Sequence, residues 1–207
     1  MQLRFQSGHT SESYVTEQGW RSASLLRCPL HPRGGCGFAR HTCYKRKTPP
    51  GTLIARWYCR KGRCTFSLLP DHLAARFPGT LSEIEQVVAV VEQAKSLEAA
   101  ANELRRDDIS LASAVRWVRR RVIPVRRLLT TVVGLFPDPL QGCMPTLAEV
   151  GARLGSDEVL IRLRALAAVH LHFLARPLGF RPPPVPAGER KAAFQHDMGP
   201  DPPGGAR

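Results

Sequence analysis

The sequence predicts a mostly α-helical protein with a small β element near its N-terminus and a tail that joins no core. Three observations carry that expectation. From about residue 80 to 175, apolar residues recur at three- and four-residue steps behind Ser and Thr caps. Cysteine, glycine and proline crowd instead into residues 26–66, where helical periodicity is absent. Beyond Phe180 the chain reads R-P-P-P-V-P and then P-D-P-P-G-G, which has almost nothing to bury, so 181–207 is expected to be disordered.

A chain of 207 residues can bury one moderate core or two small ones. Its 30 Lys and Arg against 17 Asp and Glu leave a formal charge of +13, which points to a polyanionic partner. The distribution says more than the total. No Asp or Glu occurs between Arg21 and Pro70, and none among Arg116, Arg119, Arg120, Arg121, Arg126 and Arg127. Basic runs of one sign, without neutralising neighbours, favour a binding surface over a merely solvated face. The longest nearly uninterrupted apolar stretch, Leu128 to Phe136, is far short of a membrane span, and no signal-like segment opens the chain. A cytoplasmic protein without membrane contact is expected, and there clustered cysteines are metal ligands more often than disulfides.

The first element after a polar lead-in (1–25) is the stretch 26–70. It holds five of the six cysteines, with P-P-G at 49–51 ahead of a β-prone run to Tyr58. Two sulfur pairs flanking a short hairpin make a zinc ribbon, in which the metal substitutes for a core too small to hold alone. Cys59 and Cys64 form one pair around Gly62. Cys28 and Cys36 form the other, with His31 as an alternate ligand three residues after Cys28. Cys43 is expected to point into solvent. Four protein ligands leave no open position, so the expected Zn2+ is structural and no catalytic residue is assigned. Lys45, Arg46 and Lys47 sit beside the pairs as candidate phosphate contacts.

Next, Pro70 and Asp71 can start a short helix that Pro78 and Gly79 close. T-L-S-E at 80–83 is a capping box ahead of Leu81, Ile84, Val88 and Val91, a single apolar face. Ser96 precedes a second stripe through Ala100, Ala101 and Leu104. A third runs through Ala114, Val118 and Val122 until Pro124, which should end or kink it. Three amphipathic helices over 71–123 describe a helix-turn-helix unit or a plain three-helix bundle. On the third helix Ser113, Arg116 and Arg120 lie opposite the apolar stripe with Arg119 beside them, the layout a DNA-reading helix needs. Arg126 and Arg127 are candidate backbone clamps.

Residues 124–180 are expected to be helical, as a packing or homodimerisation segment. T-L-A-E at 146–149 is a second capping box, and Ser156 and Asp157 start a helix through Leu160, Leu163, Ala167, Leu171 and Leu174. The L-G-S at 154–156 leaves a second helix-turn-helix open as an alternative.

The string R-W-Y-C-R-K-G-R-C-T-F-S-L-L-P-D at 56–71, with S-L-E-A-A-A-N-E-L and A-V-R-W-V-R-R after it, resembles the zinc-ribbon and helix-turn-helix N-terminal regions of insertion-sequence transposases. It is similar also to related stand-alone bacterial proteins of unknown function. The likeness covers roughly residues 28–121. It implies sequence-specific or structure-guided double-stranded DNA binding. Such transposases continue into a nuclease domain, but after Pro124 this chain has no run of strands and few acids, so an accessory or regulatory protein without a catalytic domain or a small-molecule substrate is expected. The alternative is a zinc-stabilised protein- or RNA-interaction module.

Overall fold

The computed structural model describes residues 1–180, so the tail expected over 181–207 lies outside the described residues. The chain opens with strand β1 (Gln2–Phe5) and a short helix α1 (Ser11–Thr16), then runs without regular structure to β2 (Ala39–Lys45), β3 (Leu53–Cys59) and β4 (Cys64–Pro70). These strands form one sheet in the order β1-β4-β3-β2. The last three are antiparallel neighbours, whereas β1 runs parallel to β4 with Leu3 opposite Leu68.

A mostly helical protein with only a small β element is therefore not what folds. The described residues hold a four-stranded mixed sheet beside seven α-helices, 42% of them helical and 16% in strands, so sheet and helices share the architecture. The physical reason lies in the lead-in. Gln2, Leu3, Arg4 and Phe5 do alternate polar and apolar, but four residues are too short a run to announce a strand, and β1 takes its order from pairing with β4 some 65 positions on. Tyr14 of α1, fully buried, then pins the lead-in to the sheet by donating its hydroxyl to the Leu53 carbonyl at 3.1 Å.

Residues 71–79 form turns instead of the expected short helix. Two arginines take the carbonyls that a helix would have used. Arg46 donates to the carbonyls of Ala74, Phe77 and Gly79, and Arg164 to those of Pro70, Asp71 and Leu73. A segment whose carbonyls are satisfied from outside has no need of its own helical ladder.

Helices α2 (Leu81–Gln93), α3 (Leu97–Leu104) and α4 (Leu111–Leu135) follow, then α5 (Pro137–Leu140), α6 (Leu147–Leu154) and α7 (Val159–Leu166). The capping box on α2 is complete: Glu83 N–H donates to Thr80 Oγ1 at 3.1 Å and Thr80 N–H to Glu83 Oε2 at 2.8 Å. Only the threonine half of the second box forms, with Glu149 N–H donating to Thr146 Oγ1. Instead, Glu92 of α2 accepts from Leu147 and Ala148, and Glu85, two turns earlier on the same face, accepts from Leu160. Two carboxylates on α2 thus cap α6 and α7 from across the core, where the helix dipoles favour negative charge.

Pro124 neither ends nor sharply divides α4, which continues for eleven residues beyond it. The helical partner that proline denies is the carbonyl of Arg120, an exposed residue, so water can satisfy it. The helix expected to run to Leu174 stops at Leu166 and gives way to a 3-10 turn over Ala168–His170. Val118, Val122, Val125, Leu128, Leu129 and Val132 make α4 the spine of the main core, to which Ile54 and Leu69 bring the sheet. Each such side chain contributes roughly 1.5–3 kcal/mol of burial. Among the described residues no helix is long and apolar enough to cross a membrane.

Candidate metal centre and basic surface

The metal centre assembles where the loop before β2 meets the turn between β3 and β4. Cys28 and His31 form an isolated β-bridge, so both side chains leave one tight knuckle. Cys36 follows on the same loop, and Cys59 ends β3. The ligand atoms of Cys28, His31, Cys36 and Cys59 lie within 4.8 Å of one another, a cluster that could hold a metal ion. His31 Nδ1 is 3.6 Å from Cys28 Sγ and 3.4 Å from Cys59 Sγ. In a tetrahedron with metal–sulfur and metal–nitrogen bonds of about 2.3 and 2.0 Å, a sulfur–nitrogen edge is about 3.5 Å, so these spacings fit.

The three cysteines are buried, with Phe66 as the one other buried side chain of their cluster. Burial, and then the adjacent Cys59 and Cys28 sulfurs, push the Cys36 thiol up to about 11. Cys59 moves the other way. Burial opposes its ionisation, but the Gly62 N–H, 3.2 Å from its sulfur, and the neighbouring thiols outweigh that and lower it. A divalent cation at the centre would deprotonate all three, as it does any thiol it coordinates. Gly62 has its own reason to be there. A Cβ at that position would stand 2.8 Å from Leu30 Cδ1, 3.3 Å from Cys59 Sγ and 3.5 Å from His31 Cε1, so a larger residue would have to push the exposed Leu30 aside and would crowd the Cys59 sulfur.

Of the expected ligands, the structure brings Cys28, Cys36 and Cys59 together and adds His31, the alternate, as the fourth. Cys64 stays outside that cluster: it is the cross-strand partner of Cys59, but its thiol contacts the Thr65 carbonyl at 3.8 Å. The fourth position is taken by the His31 imidazole, which leaves the same knuckle as Cys28 and stands 3.4 Å from the Cys59 sulfur. The signal was present as C-x2-H, the usual separation of two ligands on one knuckle. Cys43 is half-buried against the small cluster of Ala23, Ala55 and Leu68 and does not point into solvent as expected.

The candidate phosphate contacts divide. Lys45 and Lys47 are exposed. Arg46 between them is not available, because its guanidinium is spent on the carbonyls of residues 74–79 and on that of Thr48 at 2.8 Å. On α4, Arg116, Arg119, Arg120, Arg126 and Arg127 are all exposed, while Ser113 is half-buried and accepts from Arg116 at 3.1 Å. Trp117, on the edge of the apolar stripe, is 41% exposed and covered by the Arg121 guanidinium 3.8 Å from its ring centroid. That cation–π pairing leaves neither residue as a base-stacking platform.

No protein-family model matches the chain, and neither a curated protein nor a solved structure matches it. The likeness to transposase N-terminal regions rests on the residues quoted for it.

Proposed function

We propose that the chain is a double-stranded DNA-binding protein that acts without chemistry of its own, as an accessory or regulatory partner of the transposase kind. One observation supports this above the others. Five arginines of α4 stand exposed along one face over about 16 Å of helix, at 1.5 Å per residue, and no ion pair engages any of them among the described residues. Lys45 and Lys47 add two more exposed charges on the sheet. Cations left unpaired in a row suit the regular negative charge of a duplex.

The metal in this reading is zinc. Three thiolates and one imidazole are a soft, closed, four-coordinate donor set, the kind that zinc occupies in structural sites. Zinc here would fix the ribbon and leave no position for a reacting water.

A second reading, a protein-interaction module, is favoured by the exposure of Val169 at 79% and Phe173 at 85%, four residues apart in the turns after α7. Fluorescence anisotropy of a labelled duplex across a salt series separates the two. DNA binding should weaken with a log–log slope of about 0.9 for each phosphate engaged, so five contacts give a slope near 4.5. Binding that ignores salt, or its absence at low salt, overturns the proposal.

A further inference from the structure

The arginine face of α4 is not a free convex surface. It forms one wall of an open cleft of about 520 Å³ whose cationic lining is Arg76, Arg116, Arg119, Arg120, Arg127 and Arg176, without a single carboxylate. Three separate segments supply these six side chains: α4, the turns of residues 71–79, and the segment after the 3-10 turn. The last two are tied together by the Ala75 N–H, which donates to the Pro177 carbonyl at 2.7 Å. That bond sets Arg76 and Arg176 side by side across from α4. Phe77 lies beneath two guanidinia, those of Arg121 and Arg176, each 5.3 Å from its ring centroid, so Arg176 is steadied at the edge of the cleft. Ile123 and Pro124 contribute an apolar floor.

Six guanidinia converging with no acid among them repel one another, and Arg76 is held in the left-handed region at φ 57°, where a non-glycine residue is strained. An anion filling the cleft relieves the repulsion. The walls also decide what kind of contact is possible. A helix reads base edges by entering a major groove about 12 Å wide, which a helix of 10–12 Å diameter fills by itself. With Arg76 and Arg176 standing opposite, the arginines of α4 meet whatever enters the cleft and not the floor of a groove.

We propose that this cleft grips the phosphodiester backbone of one DNA strand at the edge of the duplex, so that Arg116 and Arg120 supply affinity without reading sequence and Arg76 and Arg176 contribute equally. This rests on the DNA-binding reading above. Bidentate guanidinium–phosphate pairs from both walls clamp the strand, and sequence preference, where there is any, comes from elsewhere in the protein.

The test uses the full metal-loaded chain and two labelled 20-base-pair duplexes of unrelated sequence, titrated from 0.05 to 0.2 M salt. Each of the pairs Arg76→Gln with Arg176→Gln, and Arg116→Gln with Arg120→Gln, should lower the log–log slope by about 1.8 and weaken binding roughly 10- to 60-fold at 0.1 M salt. Both duplexes should lose alike, and the Arg76→Lys, Arg176→Lys pair should keep the slope. Should the first glutamine pair unfold in a thermal melt, Arg76→Gln alone carries the test with about half that slope change. The proposal is overturned if Arg76→Gln leaves slope and affinity unchanged while the Arg116, Arg120 pair weakens binding; DNA binding then stands and the cleft does not. It is overturned also if the Arg116, Arg120 pair weakens one duplex far more than the other, which marks base reading. If the unaltered protein binds neither duplex at 0.05 M salt, the DNA-binding reading itself falls and takes the cleft with it.

Discussion

Replacing His31 with alanine should strip the protein of its metal, whereas Cys64→Ser should leave it bound. The magnitude follows from how little else holds the site. Phe66 is the one fully buried non-ligand of its cluster, worth about 1.5–3 kcal/mol, with side chains such as Phe38 and Trp57 only partly buried around it. A structural zinc supplies on the order of 10 kcal/mol or more at neutral pH. Shared over four donors, each ligand then carries roughly 2.5 kcal/mol, or about a 70-fold loss of affinity when one is removed. Residues 26–38 contain no helix or strand, and a metal at the cluster would hold them against the sheet through Cys28, His31 and Cys36. Metal content after dialysis against a weak chelator reads the affinity, and tryptic cleavage after Arg27 and Arg33 reads the release of that loop. The main core contains none of the four ligands, so helical circular dichroism should persist in His31→Ala and Cys59→Ser alike. A Cys64→Ser protein that loses metal as fully as Cys59→Ser, while His31→Ala retains it, would show that the convergence of Cys28, His31, Cys36 and Cys59 is not the metal site.

Two further outcomes test the packing that carries the basic surface. Arg164→Met should cost about 3–5 kcal/mol in urea unfolding, because the buried carbonyls of Asp71, Leu73 and Pro177 each lose a donor within 2.9 Å at about 1 kcal/mol or more apiece; a loss under about 1 kcal/mol refutes the role given to it. Glu85 is pushed up to about 7, by burial above all, so only the folded protein holds that proton between roughly pH 4.5 and 7. The stability this provides is present below about pH 4.5 and is lost as pH rises to 7. After discounting for partial exposure it amounts to roughly 1–2 kcal/mol. Urea unfolding of Glu85→Gln at pH 5 and 7.5 should show a flatter dependence than the unaltered protein, and an identical dependence would remove Glu85 as its source.

What the sequence made legible was local. The caps at Thr80, Ser96 and Thr146 all receive their backbone hydrogen bonds, and the stripe Leu81, Ile84, Val88 and Val91 is buried throughout. These features depend on residues three or four apart, which a reader of the chain can see. What stayed hidden depends on distant partners. β1 is a strand because β4 is there, α4 outlasts Pro124 because Val125, Leu128, Leu129 and Val132 are buried beyond it, and residues 71–79 stay unwound because Arg46 and Arg164 hold their carbonyls. The metal cluster was half legible for the same reason. Cysteine counting names the donors, but which four converge depends on the direction in which each loop arrives.

Charge was the hardest property to apportion, because every arginine contributes alike to a net of +13. The fold assigns them three different tasks. Arg46 and Arg164 are internal braces, donating to eight different carbonyls, six of them within residues 70–79 and the other two at Thr48 and Pro177. Arg121 is a packing residue laid over Trp117. Arg76 and Arg176 sit in no basic run, and only the segments braced by Arg164 and joined by the Ala75–Pro177 bond bring them to α4. The buried arginines thus position the exposed ones. On that logic Arg164→Met should weaken duplex binding at the proposed phosphate cleft, whose lining does not include it, by loosening the wall that Arg76 and Arg176 form.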